Sequence, residues 1–191
     1  MRAIPGLAII RPADANEVSA SWIEIVKRGK PAGLALSRQN LPVIDRTKYQ
    51  DISGVKKGAY VLAYGDDSQK DACQVILIAT GSEVHLALSA RENLAQAGIK
   101  ARVVSAPCLE WFKEQPDAYQ NQVLPKYIKA RVSIEAGIAQ PWYEFIGNAG
   151  VAVSLEHFGA SASASVLFKE FGITVDNIVD AAKTSLDKVH E

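Results

Sequence analysis

Arg38 is the first residue of this sequence whose type and position could do chemistry. The stretch 31–42 reads PAGLALSRQNLP, in which an apolar run from Gly33 to Leu36 predicts a strand and Arg38 follows it. In open α/β sheets, ligands bind beyond the carboxyl ends of the parallel strands. A guanidinium offers a planar fork of donors suited to phosphate or carboxylate. Arg38 is therefore a candidate anion-binding residue, and the alternative is a structural ion pair with an acidic residue.

The stretch Thr80-Gly81-Ser82-Glu83 is a second candidate, because it lies where a predicted strand turns into a helix. Free main-chain N–H groups and the helix dipole could bind an anion there. Thr80 and Glu83, however, have the spacing of a capping box, which would satisfy those donors within the helix. Glu83 would also repel a phosphate. The pattern favours capping over ligand binding.

A third candidate is the stretch 154–161, which follows the last predicted strand. Glu156 and His157 suggest acid–base chemistry, but adjacent residues rarely face each other, and no G-x-S-x-G motif is present. The pattern favours a loop that packs Phe158 and turns at Gly159. The three histidines of the chain show no metal-ligand spacing, so the sequence predicts no metal site.

Arg38 would be positioned by a βαβ unit. Residues 7–10 form an apolar strand, and a helix is predicted over 14–28 from apolar positions at helical spacing. Asp14 is its expected N-cap, with Glu17 three residues later, and Gly29 ends it. Strand, helix and strand within this length predict two parallel strands joined by a crossover.

Residues 41–57 show no clean periodicity and are predicted to be a linker. After them the sequence alternates between strand and helix patterns, which predicts a three-layer α/β domain over 58–191 with a mostly parallel sheet. The run 75–79 is apolar throughout, as in a central strand covered on both faces, and 59–64 is predicted to lie at an edge. The other predicted elements are strands at 101–104, 130–135 and 151–153, helices at 82–97, 141–147, 163–171 and 174–190, and short helices within 108–124. Residues 1–40 are too few for a core of their own and are predicted to be the incomplete βαβ remnant of a second α/β domain.

Composition argues against several functions. Basic and acidic residues are equal at 21 each, so no excess charge attracts nucleic acid or a membrane surface. No apolar run reaches the roughly 20 residues of a membrane span, and the start lacks the apolar core of a signal peptide. Cys73 and Cys108 are expected to be free thiols of a cytoplasmic protein.

Four motifs together resemble the C-terminal third of transketolase. They are Arg11-Pro12-Ala13-Asp14-Ala15-Asn16-Glu17, Ala35-Leu36-Ser37-Arg38-Gln39-Asn40-Leu41-Pro42, Ala79-Thr80-Gly81-Ser82-Glu83-Val84 and Phe158-Gly159-Ala160-Ser161. Their order and spacing also fit, and the resemblance runs from Met1 to about Glu191. Each motif alone would be weak, and the four in register are specific.

The resemblance implies a cytoplasmic homodimeric transferase of the pentose phosphate pathway that moves a two-carbon ketol unit from a ketose phosphate to an aldose phosphate. It implies thiamine diphosphate and a divalent cation, Mg or Ca, as cofactors of the full-length enzyme. In the S-R-Q-N-L-P motif of the family the arginine binds the phosphate of the sugar, and Arg38 matches it. Residues 1–40 would then be the end of the pyrimidine-binding domain, and 58–191 the C-terminal domain.

The family's metal-binding region, its cofactor-activating glutamate and its substrate-handling histidines have no counterpart here. We therefore expect no catalytic, cofactor-binding or metal-binding residue in this chain, and no activity from the chain alone. A natural split of the enzyme into two chains is possible but disfavoured, since natural splits should fall between domains. Two further interpretations stay open. One is a stand-alone binding, regulatory or dimerisation module with the same fold. The other is a related thiamine enzyme, such as a dehydrogenase E1 β chain or deoxyxylulose phosphate synthase, which the S-R-Q-N-L-P motif disfavours.

Overall fold

The computed structural model describes residues 1–66 and 72–190, which form two β-sheets. The predicted domain 58–191 also includes 67–71 and Glu191, which lie outside the described residues. The first sheet has two parallel strands, β1 (Ala8–Ile10) and β2 (Ala32–Leu34), joined by helix α1 (Ala15–Arg28). The predicted βαβ unit is therefore present.

Helix α1 begins and ends as its local signals predict. The Asp14 side chain caps it by accepting a hydrogen bond of 2.8 Å from the Glu17 N–H. At the other end Gly29 adopts the left-handed region with φ 58° and donates its N–H to Ile25 O, a conformation that suits glycine.

The outward face of α1 was not predicted. An amphipathic helix normally buries its apolar stripe, yet here Glu17 and Ser21 are the buried residues. Trp22 is 53% exposed and Val26 is 74% exposed among the described residues. The helix therefore buries the polar Glu17 and Ser21, leaves Trp22 and Val26 exposed, and packs Ile25 beside Ile10 and Trp111.

The segment 41–57 is more ordered than a plain linker. Ile44 is buried, and its N–H donates to Asp14 Oδ2 over 3.0 Å. The segment ends in a 3₁₀ helix, Ile52–Lys57, whose N-cap Asp51 accepts from the Ser53 N–H. This short helix was missed because its residues carry no apolar period.

The second sheet has the strand order β3-β5-β4-β6-β7. These strands are β3 (Tyr60–Ala63), β4 (Val75–Ala79), β5 (Ala101–Ser105), β6 (Arg131–Ile134) and β7 (Val151–Val153). Strand β3 is antiparallel to β5, and the other pairs are parallel. The central place of β4 and the edge place of β3 are confirmed, as is the mostly parallel sheet.

Helices cover both faces of this sheet, which gives the three predicted layers. They are α2 (Glu83–Gln96), α3 (Leu109–Lys113), α4 (Asp117–Val123), α5 (Tyr143–Ile146), α6 (Ala164–Glu170) and α7 (Val175–His190). Within β4, Leu77 packs in one core with residues of α2 and α7, whereas Ile76 and Ile78 pack in the other with residues of α3 and α5. Alternate residues of a strand point to opposite faces, so β4 supports both cores.

Within the described residues, no helix is both long and apolar enough to cross a membrane. Cys73 and Cys108 are free thiols, as predicted, and Cys108 is buried. Burial raises the pKa of the Cys108 thiol far above its ordinary value.

Candidate functional site

A cleft of about 800 Å³ lies where the carboxyl ends of strands from both sheets meet. It is lined by the segments around Arg11, Arg38, Ser82 and Ser163. Its volume is in the range of small-molecule sites. Two of the three candidates from the sequence, Arg38 and the turn at 80–83, are thus brought together. The third candidate, 154–161, does not line the cleft, although residues that follow it do.

Arg38 lies four residues beyond the last residue of β2. The ladder between the strands continues past β2, because the Ala35 N–H donates to Ile10 O over 2.8 Å. Ser37 Oγ then donates to Gln39 O over 3.2 Å. The Arg38 side chain is exposed and forms no hydrogen bond or ion pair with any other described residue. The structural ion pair that was the alternative is therefore not formed within the described part of the chain.

The turn at 80–83 binds the main chain of the first sheet instead of capping α2. Gly81 N–H and Thr80 Oγ1 both donate to Arg11 O, over 2.9 and 3.1 Å. No side chain caps α2, so the predicted Thr80–Glu83 capping box is wrong. Gly81 has φ 61°, and a Cβ there would lie 3.1 Å from Arg11 Nη2. Glycine thus lets the guanidinium lie directly against the turn.

Arg11 connects the two sheets through a buried ion-pair network. Its Nη2 donates to Glu83 Oε1 over 2.9 Å, and its Nη1 donates to Glu135 Oε1 over 3.1 Å. Both carboxylates are buried, and Glu83 is 0% exposed. Burial alone would lower the pKa of Arg11, but the two carboxylates outweigh it and the net pKa is raised. Arg11 therefore stays charged, and both of its terminal nitrogens are bound by carboxylates.

Further donors complete this network, which we call the Arg11 clamp (Arg2, Arg11, Glu83, Glu135). Glu135 also accepts from Trp142 Nε1 over 2.7 Å and from Arg2 Nη1 over 2.6 Å. Glu83 also accepts from Ser82 Oγ over 2.8 Å. The carboxylates of Glu83 and Glu135 thus neutralise the charge of Arg11 at the edge of the cleft. No local pattern in the sequence pairs Arg11 with Glu83 or Glu135, and sequence reasoning missed the clamp.

The cleft consequently has one free cation among the described residues. Its only charged lining residues in residues 1–66 and 72–190 are Arg11 and Arg38, and no carboxylate lines it. Because Arg11 is bound by two carboxylates, the net positive potential comes from Arg38. An exposed guanidinium of this kind keeps all five N–H donors available to an anion.

The loop 154–161 differs from its prediction. Phe158 is 98% exposed rather than packed, so the packing prediction is wrong. The neighbouring His157 is also exposed, although its ring meets Phe171 edge-on with centroids 4.8 Å apart. Glu156 accepts from the Ala139 N–H over 2.7 Å and from Ser154 Oγ over 2.8 Å. Glu156 and His157 therefore serve the loop, and neither borders the cleft.

Behind the cleft, Glu17 joins α1 to the second sheet. It is fully buried and accepts from Tyr60 Oη and Ser105 Oγ, each over 2.7 Å, and from the Ala13 N–H over 2.8 Å. Burial raises the pKa of Glu17, and the hydrogen bonds from Ser105, Ala13 and Tyr60 offset that rise only in part. The native fold therefore favours protonated Glu17 more than the unfolded chain does.

This raised pKa predicts a stability that falls with increasing pH. Between the ordinary carboxyl pKa of 4.5 and the raised native pKa, the native state holds a proton that the unfolded state has lost. The free energy of unfolding must then decrease as pH rises through that window. The variant Glu17→Gln lacks this proton, and its amide can donate to the Tyr60 and Ser105 hydroxyls. We therefore expect its stability relative to wild type to increase with pH.

Urea unfolding of both proteins from about pH 4 to about pH 8 measures this difference. The exposed Glu170 supplies the control, since the variant Glu170→Gln should follow the wild-type pH profile. Parallel profiles of wild type and Glu17→Gln would show that Glu17 does not titrate in this range.

Comparison with known proteins covers nearly the whole chain. The family model "Transketolase-like TK C-terminal domain" matches residues 58–174, and "Transketolase, pyrimidine binding domain" matches residues 1–43. The transketolase of Mycobacterium leprae is 48% identical over 190 residues, with 98% of this chain and 27% of that protein covered.

Solved structures of transketolases are also similar to this chain. The transketolase of Leishmania mexicana superposes with a TM-score of 0.88 at 37% identity, covering 100% of this chain and 27% of that one. A Pichia stipitis transketolase in complex with sedoheptulose 7-phosphate gives 0.86 at 36% identity, with the same coverage. The chain thus spans about a quarter of the length of the relatives it matches. From the match over 58–174, the chain belongs to the transketolase family, as a C-terminal portion that holds the end of the pyrimidine-binding region and the C-terminal domain.

Proposed function

We propose that the cleft binds the phosphate group of a sugar phosphate and that Arg38 is the residue that holds it. The observation that carries this proposal is the Arg38 guanidinium, which has no partner among the described residues and lies in a cleft that none of their carboxylates lines. A guanidinium binds a phosphate dianion through parallel charge-assisted hydrogen bonds. The related Pichia stipitis structure contains sedoheptulose 7-phosphate, which supports a sugar phosphate as the ligand.

In this proposal the whole protein is a transketolase that transfers a two-carbon ketol unit from a ketose phosphate to an aldose phosphate. Arg38 holds the end of the sugar that does not react. Binding energy gained there positions the reacting carbonyl and lowers the entropy lost in the chemical step. Arg38 is then a binding residue, since it does not touch the reacting atoms.

The thiamine diphosphate and divalent cation of the proposed enzyme belong to the longer protein. Supplying carbanion stabilisation is the chemistry of the thiamine group. Within the described residues, no group of three or more His, Cys, Asp or Glu side chains is placed to hold a metal ion. In this proposal the cofactor site is formed by residues of the longer protein that lie outside this chain. The chain alone is inactive in this proposal.

The arrangement of the longer protein is proposed along the same lines. We place the end of the pyrimidine-binding domain at 1–40, a connecting segment at 41–57 and the C-terminal domain at 58–191, in a cytoplasmic homodimer. Family matches at 1–43 and 58–174 support these boundaries. The Arg11 clamp would hold the two parts together beside the cleft.

The variant Arg38→Ala in an active transketolase that carries this sequence tests the proposal. Charge-assisted hydrogen bonds contribute about 1.5–3 kcal/mol, so we expect kcat/KM for sedoheptulose 7-phosphate to fall about 10- to 100-fold. Most of the loss should appear in KM. The variant Arg38→Lys, which keeps the charge but not the fork, should lose less.

The control is the same sugar without its phosphate, for which kcat/KM should be nearly equal in wild type and Arg38→Ala. An equal loss with both sugars would contradict the proposal, since the arginine would then act on something other than the phosphate.

A further inference from the structure

A second cavity, of about 600 Å³, lies at the amino end of β6, away from the cleft at the carboxyl ends. Arg131 begins β6 and lines this cavity, together with Lys126 and Lys129 from the loop before it. Lys188 reaches it from the last turn of α7. Four cations from three parts of the fold thus face one space.

Arg131 is held in place by main-chain carbonyls, which are its only hydrogen-bond acceptors within 1–66 and 72–190. Its Nε donates to Ile128 O over 3.0 Å, and its Nη1 donates to Phe145 O over 2.5 Å. Its Nη2 donates to Leu124 O over 3.3 Å and Pro125 O over 2.9 Å. A guanidinium has five N–H donors, so one N–H on Nη1 is left over. The side chain is therefore a fixed positive charge with a spare donor.

No carboxylate neutralises this charge within the described residues. None of the four cations forms an ion pair with an acidic side chain in residues 1–66 and 72–190. Among the residues that the structure describes, Glu144 is the acidic residue that lines the cavity, and it pairs with Lys113. Burial also lowers the pKa of Arg131, the direction expected for a cation that lacks an acidic partner. The cavity is therefore electropositive.

The cavity wall also offers main-chain donors and apolar surface. Asn148 and Ala149 line it, and neither main-chain N–H donates a hydrogen bond to another described residue. Such N–H groups beside cations are typical of anion-binding concavities. Ile146 and Val189 add apolar surface, which suits a ligand with a carbon skeleton.

We propose that this cavity is a second ligand site, which binds a small molecule carrying phosphate or carboxylate groups. Lys126, Lys129 and Lys188 contact the anionic groups, and Arg131 supplies the fixed charge. The volume fits a ligand of metabolite size. The site does not depend on the proposed role of Arg38, because it lies at the other end of the sheet and shares no lining residue with the cleft.

A ¹H–¹⁵N NMR titration of the 191-residue chain at constant ionic strength tests this proposal, with pyrophosphate and citrate as separate probes. We expect saturable shifts of the Asn148 and Ala149 amides. In the double variant Lys129→Gln/Lys188→Gln the Kd for the better probe should rise about tenfold or more, because two charge-assisted contacts are lost. Lys183→Gln, on the same helix but outside the cavity, is the matched control and should bind as wild type does.

The probes distinguish the two ligand chemistries, since tighter binding of pyrophosphate assigns a phosphate ligand and tighter binding of citrate a carboxylate one. The variant Arg38→Ala should leave these amide shifts unchanged, which separates this site from the cleft. The absence of saturable shifts with both probes, or an unchanged Kd in the double variant, would overturn the proposal.

Discussion

Replacing Arg11 with methionine should lower the free energy of unfolding by about 3–5 kcal/mol. The substitution leaves Glu83 without its cation, and Glu83 is fully buried. It also removes one of the two arginines that bind Glu135. The Ser82 hydroxyl and the Ala136 N–H still donate to Glu83, but these neutral donors do not balance its charge, and burying an unbalanced charge is costly. The large destabilisation therefore comes more from buried carboxylates that lose the balancing charge of Arg11 than from the loss of the Arg11 hydrogen bonds themselves.

Urea unfolding at one pH measures this loss. The matched control is Lys113→Met, whose ion-pair partner is Glu144. Both side chains of that pair are 52% exposed, so the control should lose no more than about 1 kcal/mol. The double variant Arg11→Met/Glu83→Gln should recover part of the loss. If Arg11→Met and Lys113→Met lost the same small amount, the Arg11 clamp would not stabilise the fold.

Replacing Gly58 with alanine should cost about 2–5 kcal/mol, the second large effect that we expect. Gly58 ends the 3₁₀ helix with φ 86°, and a Cβ there would lie 2.3 Å from Cys108 O and 2.3 Å from Phe112 N. The left-handed conformation costs an L-residue about 1–2 kcal/mol. The added Cβ would also push away the backbone of Cys108 and Phe112, and this displacement adds about 1–3 kcal/mol.

Gly98→Ala is the matched control, since Gly98 also has a positive φ of 77° but has nothing within 4 Å of its Cβ position. This variant should show the conformational cost alone, about 1–2 kcal/mol. The difference between the two variants in thermal or urea unfolding measures the close approach of the 3₁₀ helix to α3. Equal losses of stability in Gly58→Ala and Gly98→Ala would mean that the chain around Gly58 makes room for the Cβ at no cost in free energy.

The elements that the sequence predicted correctly are those determined by residues close to one another along the chain. Asp14 and Gly29 mark the ends of α1 because capping depends on residues three or four positions apart. The apolar run of β4 indicated a central strand because a strand covered on both faces must be apolar on both. Arg38 was predicted in the same way, from its residue type and its place after a strand, and its role stays a prediction.

The features that sequence reasoning missed depend on distant contacts. Glu83 has the local spacing of a capping residue, and only the fold brings it to Arg11, 72 positions away. The apolar pattern of α1 correctly predicted a helix but not its orientation. That orientation is set by Glu17, whose three donors come from Ala13, Tyr60 and Ser105.

The Arg11 clamp has a consequence for how this part of the protein can be exchanged between relatives. Family boundaries separate residues 1–43 from residues 58–174, and they invite chimeras joined within 44–57. The clamp and Glu17 cross that junction, since Arg11 and Glu17 lie on one side and Glu83, Ser105 and Glu135 on the other. A graft that moved one side alone would have to carry matching residues at each of these positions. The βαβ unit and the second sheet should therefore be exchanged together when chimeras are built.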